Sequence, residues 1–358
     1  MRIGIDARPL TVPMFGIGRY TLCLLKELTK VEGNSWYLYA DRPIIHPIFG
    51  DNIVIREYPS HKRWLSLYRT QVPFARWAKK DKLDVFWSPR HHLPLMLDKS
   101  IRSVLTIHDL VWKKYPETML RENLLVEKLL MPRSLIKADA VIAVSESTKN
   151  DLVESYPLIE SKLSVIYEAI DRVGVSESRL LDKPYFLCVG TQEPRKNLRT
   201  SIAAFHQYRA AGGNRHLVVV GGKGWNLDDP QQGLKQNQEF IHILGRVCDE
   251  DLMTFYRFAD AFVFPSLYEG FGLPPLEAMQ FSVPVISSNR SSLPEVVGEG
   301  GILVDPMSKD QICDAMMKIS RDQAFRNSLG EKAFEQSKKF SWLKAAKETL
   351  DVFKSQLP

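Results

Sequence analysis

An α/β protein built from two doubly wound parallel sheets is what this sequence predicts, and three observations predict it. Short β-branched runs alternate with helix-patterned stretches, the signature of parallel strands joined by crossover helices. The alternation breaks once, at DRVGVSESRLLDKP (residues 171–184), which is polar and contains a Gly and a Pro, as a linker would. The length of 358 residues suits two domains at about 150 residues each. The expected division is residues 1–170, a linker at 171–184, a second domain at 185–341 and a final helix at 342–358.

Arg2–Asp6 reads as the first strand. Arg19–Lys30 follows as an amphipathic helix with Leu22, Leu25 and Leu28 inward. Strands come next at Trp36–Ala40, Ile53–Tyr58, Asp84–Trp87, Ser103–Ile107 and Ala140–Val144. Ser145 then suits the N-cap of a helix reaching Glu154. The second series runs strand Tyr185–Val189, helix Asn197–Ala211, strand His216–Val220, strand Phe240–Leu244 and helix Asp249–Phe258. Strand Ala261–Phe264, helix Pro274–Met279 and strand Val283–Ser287 complete it. In such sheets ligands bind at the carboxyl ends of strands, so a cleft between the two domains is the expected site.

Several classes drop out. Cys23, Cys188, Cys248 and Cys313 are far apart, which gives neither a disulfide framework nor a zinc site and favours a reducing compartment. MRIGIDARPL reads as a charged strand rather than a signal peptide, and no apolar run approaches a membrane span. The expected location is cytoplasmic. The formal net charge of +6 is local. His61–Lys82 holds Lys62, Arg63, Arg69, Arg76, Lys79, Lys80 and Lys82 against Asp81, interleaved with Trp64, Phe74 and Trp77. A basic face opposite an aromatic one suits an anionic membrane surface; a core-facing aromatic stripe with solvated lysines fits as well. Pro73 divides the stretch into two short helices. No nucleic-acid motif accompanies it.

The chemistry concentrates in SLYEGFGLPPLEAMQFSVPVISSNRSSLPEVVGEGGILVDP (residues 266–306). Glu269 lies in the loop at the carboxyl end of a strand. Gly270 and Gly272 leave the backbone open to a ligand. Pro274 and Pro275 open a helix with Glu277 in its first turn, where amides and dipole suit an anion. Arg195 and Lys196, in GTQEPRKNL, put a fork and a point charge at another strand end, an arrangement suited to a diphosphate. Gly16 and Gly18 in MFGIGRYT precede the first helix but lack a dinucleotide fingerprint. His108 and Asp109 end a strand. Lys223 in GGKGW suits a phosphate or a base. Asp249-Glu250-Asp251 looks like a metal motif, yet acids before LMTFYRF read better as a helix start. His91-His92 is a poor metal pair, because adjacent side chains diverge. No metal ligand set is expected.

Over essentially the whole chain, these motifs resemble retaining glycosyltransferase family 4, with its GT-B architecture of two Rossmann-like domains facing across a cleft. The resemblance implies a nucleotide-diphosphate-sugar donor, no metal cofactor, and a last helix that crosses back to the first domain. It implies that Glu269 lies beside the transferred sugar, that Gly270, Phe271, Gly272 and Leu273 bind sugar hydroxyls, and that Glu277 binds the ribose. Arg195 and Lys196 would neutralise the leaving diphosphate, near Asn289–Pro294. Gly16 and Gly18 would approach donor and acceptor, His108 would contact the sugar, and Arg246 and Val247 would adjoin the base. GGKGW resembles mannosyltransferase-like members, which points to GDP-mannose. The basic stretch, with Lys62, Arg63, Trp64, Arg69, Arg76, Trp77, Lys79 and Lys80, would face a saccharide acceptor linked to a lipid pyrophosphate, or the inner face of the plasma membrane. A UDP-sugar transferase, a sugar-nucleotide epimerase and a binding-only module are the alternatives.

Overall fold

Arg2–Asp6 (β1) is the strand from which the first sheet grows in both directions. The structure is a computed structural model describing all residues except 15, 47, 60–65, 172–176, 223, 225–237 and 358. After β1 come helix Gly16–Leu28 (α1) and strands Ser35–Ala40 (β2) and Ile53–Glu57 (β3). Helices Ser66–Gln71 (α2) and Pro73–Lys80 (α3) lead to strands Val85–Ser88 (β4) and Arg102–Ile107 (β5). Helices Val111–Lys114 (α4) and Arg121–Lys137 (α5) precede strand Ala140–Ala143 (β6), helix Glu146–Ser155 (α6) and strand Leu163–Val165 (β7). The strand order is β3-β2-β1-β4-β5-β6-β7, and every described pairing is parallel.

The second sheet has the order β10-β9-β8-β11-β12-β13, also parallel. Its strands are Tyr185–Val189 (β8), His216–Val220 (β9), Ile241–Gly245 (β10), Ala261–Phe264 (β11), Val285–Ser288 (β12) and Gly301–Val304 (β13). Its helices are Leu198–Ala210 (α7), Asp249–Arg257 (α8), Leu273–Met279 (α9), Leu293–Val297 (α10), Lys309–Arg321 (α11) and Gln323–Ser337 (α12). The chain divides into one unit of Met1–Ala169 with Ser341–Pro358, and another of Ile170–Phe340. The last helix, Trp342–Ser355 (α13), therefore belongs to the first unit. There Trp342 meets Tyr20 edge-on at 5.8 Å and Phe353 lies 5.7 Å from Trp87.

Burial explains the strands. β4, β6, β11 and β12 are buried along their whole length, as strands covered on both faces must be. Helix starts follow local chemistry. The Ser145 hydroxyl accepts the Thr148 amide at 2.9 Å, and Asp322 accepts the Phe325 amide at 2.8 Å. Several boundaries differ from the sequence reading. α1 begins at Gly16, so both glycines lie in the first turn of the helix, and Leu24 is buried where Leu22 is only half-buried. β12 begins at Val285, because Pro284 has no amide to donate to a ladder. Glu277 is the fifth residue of α9, one residue deeper than expected, because the helix begins at Leu273.

The loops after β8 and β9 are tied together backbone to backbone. The Gly190 amide donates to Val220 at 3.0 Å and the Gln192 amide to Gly222 at 3.0 Å. Gly221 holds φ +146°, and a Cβ there would lie 1.9 Å from the Gly190 carbonyl oxygen. Gly221→Ala should therefore destabilise the second unit by about 2 kcal/mol or more, a fall of about 4–8 °C in melting temperature. An unchanged melting curve would show that the two loops separate without cost.

Candidate active site

In the second sheet, strand order reverses at β8, with β9 and β10 to one side and β11 to the other. Loops leaving the two strands at such a point diverge, and a crevice opens at their carboxyl ends. Arg195 and Lys196 stand on the loop after β8, in the turn Pro194–Lys196. Glu269 stands on the loop after β11. Asn197, at φ +57°, ends the turn and sends its side-chain amide to Pro265 and Pro306 carbonyls at 3.0 and 2.7 Å. An asparagine tolerates that left-handed conformation better than most residues. The Leu267 amide donates to the Arg195 carbonyl at 2.8 Å, and the Ser266 hydroxyl oxygen lies 3.0 Å from it.

The charged side chains close on one another. Lys196 Nζ donates to Glu269 Oε1 at 2.7 Å, and the Ser266 hydroxyl donates to the same oxygen at 2.7 Å. Arg195 Nη1 lies 2.9 Å from Glu269 Oε2, while its Nη2 lies 2.5 Å from Glu193 Oε1. Burial pushes the Glu269 carboxyl up, but the Arg195 and Lys196 charges outweigh it and hold the group at about 2. Burial pulls Lys196 down, and Glu269 does not fully restore it. The Phe264 ring faces its ammonium at 4.9 Å.

The Glu269 loop is held from beneath by serines. The Ser291 hydroxyl accepts the Glu269 amide at 2.9 Å, and the Ser292 hydroxyl donates to the Phe271 carbonyl at 2.5 Å, with the Glu269 carbonyl 3.0 Å away. Gly272, at φ +122°, makes the turn into α9, where Leu273 starts the helix. Phe271 is buried edge-on against Phe340 at 5.5 Å, and Gly270 is half-buried beside it. Glu277 is buried, and its Oε2 accepts the Tyr256 hydroxyl at 2.9 Å. Arg246 lies beyond β10, and its Nε would be 3.0 Å from a Cβ on Gly222. Val247 packs partly buried against the core. Sequence reasoning missed Glu193 and Ser266, and it marked Ser291 and Ser292 only as part of Asn289–Pro294.

The remaining expectations fall on the first unit or outside the described residues. Lys223, Lys62, Arg63 and Trp64 lie outside them. His108 follows β5 with both ring nitrogens engaged: Nε2 donates to the Pro89 carbonyl at 2.9 Å, and Nδ1 lies 2.8 Å from Glu168. A sugar contact through either nitrogen would require one of these bonds to break. Asp109 accepts the Val111 amide at 3.0 Å. Gly18 sits against the Pro9 carbonyl, and Gly16 has open space where a Cβ would be.

The placing of Arg69 and Trp77 on a membrane surface is corrected. Trp77 packs inward on Tyr39, Tyr58 and Phe74, with centroids at 5.5, 5.2 and 5.6 Å. Arg69 is buried, donates to the Asp41 carbonyl and lies 4.4 Å over the Tyr58 ring. Among the described residues of the stretch, Arg76, Lys79 and Lys80 are exposed, as are Leu67 and Tyr68. His91 and His92 do not diverge: both approach Glu127 Oε2, at 3.4 and 3.1 Å. Asp249–Asp251 form the first turn of α8, capped by Cys248. Among the described residues no group of three or more His, Cys, Asp or Glu could hold a metal, and no helix is long and apolar enough to cross a membrane.

Two sheets with reversing strand order, and a buried carboxylate clasped by two cations at one reversal, define the class: the chain belongs to the GT-B glycosyltransferases of family 4. Residues 15–173 match the Glycosyltransferase Family 4 model and residues 175–336 match Glycosyl transferases group 1. The chain is 31% identical to O-antigen chain mannosyltransferase B of Escherichia coli, over 99% of this chain and 100% of that protein. It is 28% identical to an O-antigen chain mannosyltransferase of Salmonella typhimurium, over 79% of this chain and 78% of the other. A sucrose-phosphate synthase from Thermosynechococcus elongatus shares the fold, with a TM-score of 0.79 at 20% identity over 99% and 98% of the two chains.

The Glu269 carboxylate stabilises the folded state above about pH 4.5, its unfolded value, and that contribution disappears as pH falls towards about 2. Glu269→Gln leaves two buried cations under-compensated and should cost about 3 kcal/mol at neutral pH. The melting-temperature gap to the unsubstituted chain should close as pH drops through that window. A gap that stays constant in acid would contradict the ion-pair assignment.

Proposed function

We propose that the chain transfers mannose from GDP-mannose, with retention of configuration, to a saccharide acceptor in cell-surface polysaccharide synthesis. The observation that carries this reading is the Glu269–Lys196–Arg195 cluster at the reversal of the second sheet. Lys196 carries three N–H donors, of which Glu269 takes one. Burial has already weakened its hold on the charge. A diphosphate in the crevice accepts the Lys196 donors that Glu269 leaves over, and charge developing on the leaving group is stabilised there without a metal. Arg195 adds a fork on the same loop.

Both oxygens of Glu269 are engaged by cations or a hydroxyl, and its pKa of about 2 makes it a weak base. A carboxylate of that kind is a poor general base and a poor nucleophile. Its role is to hold Lys196 and the sugar and to stabilise an oxocarbenium-like transition state. The leaving phosphate then takes the proton of the incoming hydroxyl on the same face. Gly270–Leu273 line the sugar, Glu277 takes the ribose hydroxyls, and Arg246 and Val247 adjoin the base. His108 holds the Pro89 turn. The relatives named as mannosyltransferases, together with GGKGW after β9, favour mannose.

Ligand-dependent melting tests the donor, because whatever binds only the folded state raises its melting temperature. GDP and GDP-mannose should stabilise the chain more than UDP and UDP-sugars; the reverse order would replace mannose with a UDP-linked sugar. Lys196→Ala should lower transfer by about a hundredfold or more with the fold intact, and EDTA should leave transfer unchanged. Full activity of the purified variant would remove Lys196 from the mechanism.

A further inference from the structure

The first sheet reverses its strand order at β1, which has β2 on one side and β4 on the other. At the carboxyl ends of these strands lies a cavity of about 610 Å³. Its lining includes Arg8 beyond β1, Gly18 of α1, Arg42 beyond β2, Gln71 of α2, Arg90 beyond β4 and Glu122 of α5. A volume of several hundred Å³ is ligand-sized.

Two of the three guanidiniums already have their counterions. Arg8 forks onto Asp6, with Nε at 2.8 Å from Oδ1 and Nη2 at 2.5 Å from Oδ2. Arg42 Nη2 lies 2.9 Å from Asp41. Arg90 differs: among the described residues its side chain makes no ion pair and no hydrogen bond. The nearby Glu127 is taken by His91 and His92, and Glu122 is exposed. Burial, with the Arg8 charge beside it, pulls Arg90 down to about 10. The turn that carries it is rigid. The Ser88 hydroxyl bonds to the Arg90 and His92 carbonyls at 2.9 and 2.7 Å, and His108 Nε2 donates to Pro89 at 2.9 Å.

We infer that this cavity binds an oxyanion carried by the acceptor, a phosphate or a carboxylate, with Arg90 as its anchoring cation. The inference rests on the transferase reading and narrows it, since it makes the acceptor an anionic molecule rather than a neutral saccharide. A guanidinium matches either oxyanion with two parallel N–H donors. The ligand would complete a charge balance that the chain leaves open at Arg90.

Calorimetric titration of the full chain with pyrophosphate tests this, using Lys196→Ala to silence the second unit and then adding Arg90→Gln. The Lys196→Ala chain should still bind pyrophosphate, and Arg90→Gln should weaken that binding about tenfold to a hundredfold. Arg90→Gln should not lower the melting temperature, because no partner in the fold loses its counterion. A parallel titration with glucuronate separates the sources: tighter Arg90-dependent binding of pyrophosphate assigns a phosphate, and tighter binding of glucuronate assigns a carboxylate. Binding of both probes unaffected by Arg90→Gln, or a clear fall in melting temperature, would overturn the inference. Failure of the proposed donor site would show instead as full transfer by Lys196→Ala, whatever Arg90 does.

Discussion

In a parallel sheet, every crossover returns the chain to the same edge, so strand carboxyl ends all face one way. Where strand order reverses, neighbouring loops leave in opposite directions and cannot fill the space between them. Each unit of this chain meets that constraint once, at β1 and at β8. Each answers it in the same way, with arginine on the loops that flank the gap. Arg8 and Arg90 stand beside the first reversal, and Arg195 with Lys196 beside the second. The topology fixes where chemistry can gather, and the side chains decide which chemistry.

The two gaps differ in how their charge is balanced. In the second unit Glu193 and Glu269 answer Arg195 and Lys196, so the cluster holds as many acids as bases. Taking one partner from a buried, hydrogen-bonded pair strands the other in a poor solvent, which makes the arrangement stiff. An incoming anion there joins an existing network and takes up donors that the network has to spare. In the first unit Asp6 pairs with Arg8 and Asp41 with Arg42, and Arg90, although it feels both carboxylates, makes no ion pair among the described residues.

Much of this was legible in the sequence. β8, β9 and β11 have the ends that their β-branched runs suggested, since strands buried on both faces read as short apolar words. Glu269, Arg195 and Lys196 could be picked out because each follows such a word. Their union could not: Lys196 and Glu269 are 73 residues apart, and spacing carries no information about loops that meet in space. Ser266 was silent for the same reason, as was the support that Ser291 and Ser292 give the Glu269 loop. Arg90 had a signal, the SPR that follows a strand, but a lone arginine is distinguished only by the counterion it lacks. The Arg69–Trp77 stretch shows the opposite limit. Amphipathic periodicity gave two helices with one aromatic face, but not which side met the core, and Tyr39 and Phe74 settled that.

The stitching of the β8 and β9 loops has an evolutionary consequence. Gly190, Gly221 and Gly224 bring backbone against backbone, with no room for a Cβ at Gly221 or Gly224. Where the two loops are stitched, the backbone cannot take a side chain at Gly221 or Gly224 without a clash. Divergence among chains sharing this weave is thus channelled into the residues that project from it, while the frame is inherited nearly whole. Side chains on this frame can be exchanged one at a time, and the stitched backbone keeps its shape while they are.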